Sequence, residues 1–180
     1  MLEHKSASGM GQGLSYTQLR IPCGVTLMSD SVGLFIFKGG LQMAKEFISI
    51  ERIPTIEEYI KLRSAVGWKI AKREAIQKGL SNSLYSICIN YNREVIGMGR
   101  VIGDGALAFY IQDIIVMPEF QKQGVGRLIM DNIMEYLKNN CTPNVISGLM
   151  AAKSAVGFYE KYGFSARPDE KHGPGMAIRW

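Results

Sequence analysis

The stretch that decides the fold runs from Val116 to Arg127 and has the sequence VMPEFQKQGVGR. It joins an apolar segment to the start of a helical pattern, and Gly124 and Gly126 let another group approach its backbone closely. The amides at a helix start have no intrahelical acceptors, and the helix dipole adds positive potential there. With Lys122 and Arg127 nearby, this turn is predicted to bind phosphate.

The glycine pattern does not fit the common nucleotide-binding motifs. A P-loop needs Gly-Lys followed by Ser or Thr, which is absent, and the dinucleotide fingerprint needs a third glycine where Ile129 stands. Taken alone, the two glycines are equally compatible with an ordinary loop before a helix. The phosphate site therefore needs support from the rest of the chain.

The segment from residue 45 onward begins with a predicted strand over residues 47–53. Thr55 and Glu58 are spaced as a capping box and mark the start of a helix. Its apolar stripe continues at helical spacing until Gly67 ends it.

A second helix is predicted from Trp68 to Gln77, with Gly79 as its stop. Three strands follow closely, at residues 84–90, 95–102 and 106–116, with short polar turns between them. The third strand is long and mostly apolar, so it is expected in the middle of a sheet.

After the phosphate turn the pattern alternates again between helix and strand. A long helix is predicted over 124–139 and a strand over 145–151, and Ser154 is expected to cap a short helix through Tyr162. Short strands are predicted from Phe164 and over 176–180. The order predicts an α/β fold in which a mixed central sheet carries helices on both faces.

Residues 1–42 differ from the rest because they are rich in glycine and lack a helical period. The apolar runs 24–28 and 32–37 are compatible with short strands or a hairpin, and equally with a poorly ordered extension. Residues 43–180 are predicted to form the functional domain.

Composition narrows the function classes. The net charge of +5 is scattered, with no basic run, so a nucleic-acid partner is not expected. Cys23, Cys88 and Cys141 form no CxxC pair, which argues against a disulfide framework or a metal site. No stretch reaches the roughly 20 apolar residues of a membrane helix, and no secretory signal is visible. We expect a cytoplasmic protein that binds no membrane.

The turn also resembles the acetyl-CoA motif of the GNAT superfamily of N-acetyltransferases, Gln/Arg-x-x-Gly-x-Gly/Ala. The matching positions are Gln121, Gly124 and Gly126, and the preceding Val-x-Pro is matched by Val116 and Pro118. The GNAT-type acyl-CoA N-acyltransferase fold is mixed α/β, as the element order predicts.

A second match lies at residues 158–164, FYEKYGF, and the resemblance covers about residues 45–180. Residues 53–68 and 103–105 resemble a bacterial subgroup of general acetyltransferases. Many relatives have Asn seven residues before the tyrosine of the second motif, but this chain has Ala152 there. The contact of that Asn must be absent or supplied by another group, such as Ser154.

The resemblance implies acetyl-CoA as the donor and a tyrosine, Tyr159, as the acid that protonates the departing sulfur. It also implies that the backbone of the central strand and the phosphate turn hold coenzyme A. The cofactor-binding residues designated in this way are Ile114, Val116, Gln121, Lys122, Gln123, Gly124, Val125, Gly126, Arg127 and Ser154.

Asp113 is the candidate base or amine anchor, since an ionisable group in an apolar strand is costly unless it is used or paired. If the strand is regular, Ile111 and Ile115 share its face. A structural Asp paired with backbone or with Arg100 is an equal alternative, and water is an alternative base. His172 is a weaker candidate, and the cysteines lack the paired histidine of a ping-pong route.

The sequence thus predicts transfer of an acetyl group from acetyl-CoA to a primary amine by direct attack in a ternary complex. A small-molecule acceptor is expected rather than a protein, and the protein is expected to be a monomer or homodimer. A non-catalytic acyl-CoA sensor on the same fold is the alternative, because the Asn position is lost at Ala152.

Overall fold

The computed structural model describes residues 17–20, 26–29 and 45–178. The chain divides into two compact units, residues 1–45 and 46–180, and each is described by itself.

The first unit contains a two-stranded antiparallel sheet. Strand β1 (Thr17–Arg20) pairs with β2 (Thr26–Ser29), and Arg20 lies opposite Thr26. The apolar run 24–28 therefore contributes in part to a strand. The run 32–37 lies outside the described residues.

The second unit is a layered α/β structure. Its sheet has the order β3-β4-β5-β6-β7, antiparallel from β3 to β6 and parallel between β6 and β7. The mixed sheet predicted from the sequence is therefore confirmed. The elements in chain order are β3 (Ile48–Glu51), α1 (Ile56–Ala65), α2 (Arg73–Ser81), β4 (Tyr85–Tyr91), β5 (Glu94–Gly103), β6 (Ala108–Val116), α3 (Val125–Asn140), β7 (Ile146–Leu149) and α4 (Val156–Glu160).

Helices cover both faces of this sheet, as predicted. On one face α3 buries Ile129 and Ile133 against Ile87 of β4 and its neighbours. On the other face Leu62 of α1 packs with Met98 of β5 in a second apolar cluster. The strand β6 lies between β5 and β7, so its position inside the sheet is confirmed.

Helix α1 begins where the capping box predicts. The amide of Glu58 donates to Thr55 Oγ1 (3.1 Å), and the amide of Thr55 donates to Glu58 Oε2 (2.7 Å). The chain turns after α1 at Gly67, whose φ is +70°.

The predicted bounds of the second helix are wrong, because α2 starts at Arg73 and includes Gly79. Residues 68–72 are not helical. Arg63 explains this, since its Nε and Nη2 atoms donate to the carbonyl oxygen of Lys69 at 3.2 and 2.9 Å. That carbonyl is therefore already engaged by a side chain rather than by a helix.

Strand β6 is irregular, which corrects the expected alternation around Asp113. Met98 pairs with Ile115 but Arg100 pairs with Gln112, so β6 carries one extra residue opposite Gly99. Asp113 has φ +53° at this bulge. Ile111 consequently packs in the α3 cluster, whereas Asp113 faces α1.

The C-terminal segment also differs from the prediction. Ser154 lies in a 3₁₀ turn, and α4 begins two residues later without a side-chain cap. No strand forms among residues 164–178. Pro168 and Pro174 lack the N–H that a strand ladder needs, and Asp169 folds the chain by accepting the amides of Lys171 and His172.

Candidate active site

The phosphate turn presents a row of unpaired amides. Lys122 has φ +59° and Gly124 has φ +91°, which places two left-handed residues in front of α3. The first helical bond runs from the Leu128 amide to the Gly124 oxygen (3.0 Å), and no side chain caps the helix. The amides of Val125 and Gly126, in the first turn of α3, therefore have no protein acceptor among the described residues. This is the geometry of an anion cradle.

Side chains of the turn brace its backbone. Gln121 Nε2 donates to the oxygen of Val116 (3.1 Å), and Gln123 Nε2 donates to the oxygen of Glu119 (2.6 Å). The two glutamines are therefore engaged as supports of the loop.

The cationic side chains of the turn remain at its surface. Lys122 is exposed, and Arg127 is 80% exposed while it pairs with Asp131 at 3.6 Å. Both are long enough to reach an anion that lies on the turn.

Gly126 is the point where three elements meet. A methyl group on its Cα would lie 3.8 Å from Cζ of Phe158 on α4 and 3.9 Å from Cγ2 of Val116 on β6. The phosphate turn, the end of β6 and the helix that carries Tyr159 are therefore neighbours.

The pairing of β6 with β7 stops before β6 ends, which leaves a gap in the ladder beside residues 112–116. Their parallel pairing ends with Ile111 opposite Leu149, while β6 continues to Val116. The amide of Met117 donates to the oxygen of Ile96 on the β5 side (2.9 Å). Because strand residues alternate in the direction of their backbone groups, Ile114 and Val116 point theirs toward the gap.

Tyr159 lies on α4 between two aromatic neighbours. Its ring centroid is 5.1 Å from that of Phe158 and 6.4 Å from that of Phe164. Burial raises the pKa of the Tyr159 phenol above its ordinary value. Its hydroxyl donates no hydrogen bond to any other described residue, so a protonated donor is available.

Tyr159 also lines a cavity of about 950 Å³ that the phosphate turn does not line. The end of β7 and the C-terminal segment form other walls, including Ala151 and His172. His172 Nδ1 lies 2.9 Å from both carboxylate oxygens of Asp169, and this contact lowers the pKa of Asp169 to about 2. The turn itself opens on a separate hollow of about 310 Å³ beside Gly124.

Asp113 is enclosed by donors on the opposite face of β6. Its side chain is 0% exposed. Arg63 Nη1 lies 2.7 Å from Oδ1, while Arg100 Nε and the Tyr59 hydroxyl lie 2.8 and 3.0 Å from Oδ2. Gln112 Nε2 completes the set at 3.3 Å from Oδ1. The pairing with Arg100 that the sequence left open is therefore present.

The site residues predicted from the sequence separate into groups. Val116, Gly126 and the helix of Tyr159 come together, whereas Asp113 faces α1 on the other side of β6. Ser154 is exposed in its turn before α4 and caps nothing. Sequence reasoning missed Arg63, although its spacing of four from Tyr59 on α1 places both on one helical face.

Three features of the described residues concern metal binding, cysteine nucleophiles and membrane spans. The described residues contain no cluster of His, Cys, Asp or Glu that could hold a metal ion. Cys88 is buried, and burial raises the pKa of its thiol to about 11. None of the helices in the described part of the chain has the length and apolar character needed to cross a membrane.

The mixed sheet, the glycine-flanked start of α3 after β6 and the helix that carries Tyr159 together form the arrangement that the comparisons below identify. Residues 56–178 match the family model described as "Acetyltransferase (GNAT) domain". The chain belongs to this family of GNAT N-acetyltransferases and is an acyltransferase enzyme.

Similar proteins support the same assignment. A Staphylococcus aureus protein of unknown function, described as a probable acetyltransferase, has 41% identity over 75% of this chain and all of its own, with a TM-score of 0.69. A GNAT family acetyltransferase from Streptococcus pneumoniae has 28% identity over 74% of this chain and 98% of its own, with a TM-score of 0.62. An uncharacterized N-acetyltransferase of the red alga Gracilaria tenuistipitata has 28% identity over 68% of this chain and 69% of its own.

Proposed function

We propose that the enzyme takes acetyl-CoA as donor and transfers its acetyl group to the primary amine of a small molecule by direct attack in a ternary complex. The observation that carries the proposal is the gap beside residues 112–116, which begins where the pairing of Ile111 with Leu149 ends. A chain with amide groups can extend along this open strand edge. Residues 43–180 are proposed as the transferase domain.

The residues present fit coenzyme A at both ends of the gap. The unpaired amides of Val125 and Gly126 suit a pyrophosphate, and Lys122 and Arg127 add positive charge. Val116 and Ile114 offer backbone groups toward the gap, while Gln121 secures the Val116 oxygen at its end. Bound acetyl-CoA supplies an activated thioester, and the protein supplies its position.

Two protein groups, the Val116 amide and the Tyr159 hydroxyl, are proposed to assist the transfer. The Val116 amide faces the gap and is proposed to stabilise negative charge that develops on the carbonyl oxygen under attack. Tyr159 holds its proton at neutral pH because a tyrosine has an ordinary pKa near ~10 and burial raises this pKa further, so it is the proposed donor to the departing thiolate. Val116 and Tyr159 belong to elements that both contact Gly126, which supports a shared site.

We propose a structural role for Asp113 rather than the role of catalytic base. All four hydrogen bonds to its carboxylate come from protein side chains, and its own side chain is 0% exposed. Removing one partner of such a buried pair costs about 3–5 kcal/mol, so the group is committed to structure. Water is therefore the proposed acceptor of the amine proton.

The cavity beside Tyr159 is the proposed acceptor site. Its volume of about 950 Å³ lies within the range of small-molecule pockets. Its lining carries both signs of charge, because Glu160 and Asp169 lie there together with Lys138 and Arg167. Among relatives, one from rice is described as a serotonin N-acetyltransferase and one from soybean as a histone acetyltransferase. The first description names a small amine, which supports the proposal, and the second names a protein acceptor.

A binding experiment tests the donor assignment. Titration calorimetry of residues 1–180 with coenzyme A should give one site per chain, and added salt should weaken it because phosphate contacts are screened. Absence of binding would contradict the proposed function. Size-exclusion chromatography with light scattering would decide between the expected monomer and homodimer.

A further inference from the structure

We infer that Arg63 and Arg100 are positioning residues of the transfer site, which act through Asp113 by holding the β6 bulge that keeps residues 112–116 apart from β7. The inference rests on the proposed function, because it assumes that this gap receives the donor.

The bulge requires an unusual backbone. Asp113 has φ +53°, a region that non-glycine residues rarely adopt. The extra residue lies opposite Gly99 and reverses the alternation of the strand. As a result Ile114 packs toward α3, and its backbone groups face the gap. Without the bulge, the side chains and backbone groups beyond residue 112 would keep the alternation of the preceding part of β6 and would point to the opposite sides.

Two arginines from separate elements fix the side chain that carries this backbone. Arg63 comes from α1 and holds Oδ1 at 2.7 Å, while Arg100 comes from β5 and holds Oδ2 at 2.8 Å. Charge-assisted bonds of this length are the strong class of hydrogen bond. Because both carboxylate oxygens are held, the side chain cannot rotate, and the backbone that bears it keeps its direction.

Each arginine is itself anchored to a further element. Arg100 Nη1 donates to the oxygen of Gly79 on α2 (2.9 Å) and to Ser83 Oγ (3.3 Å). Arg63 lies against the rings of Tyr59 and Trp68, 5.4 and 5.2 Å from their centroids, and holds the Lys69 oxygen. The cluster thereby connects α1 and α2 to the strand that borders the gap.

Arg63→Lys and Arg100→Lys test the inference, because lysine keeps the positive charge but lacks the planar guanidinium group with its several N–H donors. Arg52→Lys is the control, since Arg52 makes a bidentate pair with Glu58 near the start of the same helix without touching Asp113. Tyr59→Phe is a milder variant that removes one bond to Asp113. Each is compared with the unaltered chain at a temperature well below its melting point.

The first readout is hydrogen exchange, in the free protein, of those amides of residues 109–117 that bond to β5, such as the amide of Met117. We expect at least tenfold faster exchange there in both lysine variants, a smaller increase in Tyr59→Phe, and no local change in Arg52→Lys. Unchanged exchange in the lysine variants would overturn the inference, whatever the protein binds.

The second readout is the dissociation constant for coenzyme A. We expect it to rise about tenfold in Arg63→Lys and Arg100→Lys and to stay the same in Arg52→Lys. Lower melting temperature with unchanged affinity would show a role in stability alone and overturn the inference. Failure of the unaltered protein to bind coenzyme A would overturn the proposed function, while the exchange result would still decide whether the arginines hold the bulge.

Discussion

A methyl group on Gly99 of β5 would lie 2.6 Å from Cδ1 of Ile114 on β6, so the two strands meet where no side chain fits. The same methyl would lie 2.5 Å from Cγ2 of Ile129 on α3. Gly99 is also the residue that faces the bulge. Its missing side chain therefore lets the bulged strand and the helix that starts at the phosphate turn pack together.

Gly99→Ala should lower the free energy of unfolding by about 1–3 kcal/mol, because the added methyl overpacks the core. Coenzyme A binding should weaken as well, since Ile114 must move. Gly79→Ala is the control: Gly79 lies half-buried in α2, its methyl meets nothing within 4 Å, and the change should stabilise the protein by about 0.5–1 kcal/mol. Denaturant titration measures both, and equal stabilities would contradict the packing described.

Gly126→Asp should weaken binding of acetyl-CoA at least tenfold without unfolding the protein. The new carboxylate would stand at the unpaired amides, where it repels phosphate, while its Cβ meets only ordinary contacts of 3.8 and 3.9 Å. Asn139→Asp adds the same charge near the other end of α3 and should leave binding unchanged. Unaltered affinity in Gly126→Asp would remove the phosphate site from this turn.

Tyr159→Phe should lower kcat and leave the affinity for acetyl-CoA unchanged. Loss of a general acid typically costs about 10²–10⁴-fold, and the low end is expected because a thiolate with a pKa near ~8.5 leaves readily. A fall in both quantities would mean that Tyr159 mainly shapes the pocket.

Tyr162→Phe is the matched control for that variant. The Tyr162 hydroxyl donates to Asp131 Oδ1 at 2.9 Å and to the Arg127 oxygen at 3.3 Å. Its removal should reduce stability and leave kcat near that of the unaltered enzyme. An equal loss of kcat in both variants would contradict a specific role for Tyr159.

Stability should fall at alkaline pH through Tyr162. Burial and the hydrogen bond to Asp131 raise the pKa of this phenol from 10.0 to about 12 in the folded protein. A group whose pKa is raised on folding stabilises the protein fully below its unfolded value, and this stabilisation is lost as pH rises through the folded value. Melting temperature should therefore fall more steeply between pH 10 and 12 than in Tyr162→Phe, and parallel curves would contradict this assignment.

Local signals were sufficient for much of the fold. The capping box of Thr55 and Glu58 depends on residues three apart, and the start of α3 just after Gly124 follows from a helical stripe after a glycine. Such features are encoded by neighbouring residues, so the sequence alone reveals them.

Features that depend on contacts between residues far apart in the sequence could not be predicted from local patterns. The bulge at Asp113 is held by Arg63, which lies 50 residues earlier, and α2 starts late because Arg63 also takes the Lys69 oxygen. A signal for the bulge was present, since Gly97 and Gly99 stand inside a buried strand, where glycine often marks a bulge or close approach.

The proposed acetyl transfer is tested most directly by release of free coenzyme A from acetyl-CoA in the presence of a panel of primary amines, with the acetylated product identified by mass spectrometry. We expect at least one small amine to yield equal amounts of thiol and N-acetyl product, and Tyr159→Phe to slow that reaction about 100-fold. Tight binding of acetyl-CoA without turnover of any amine would contradict the account and indicate a non-catalytic acyl-CoA sensor on the same fold.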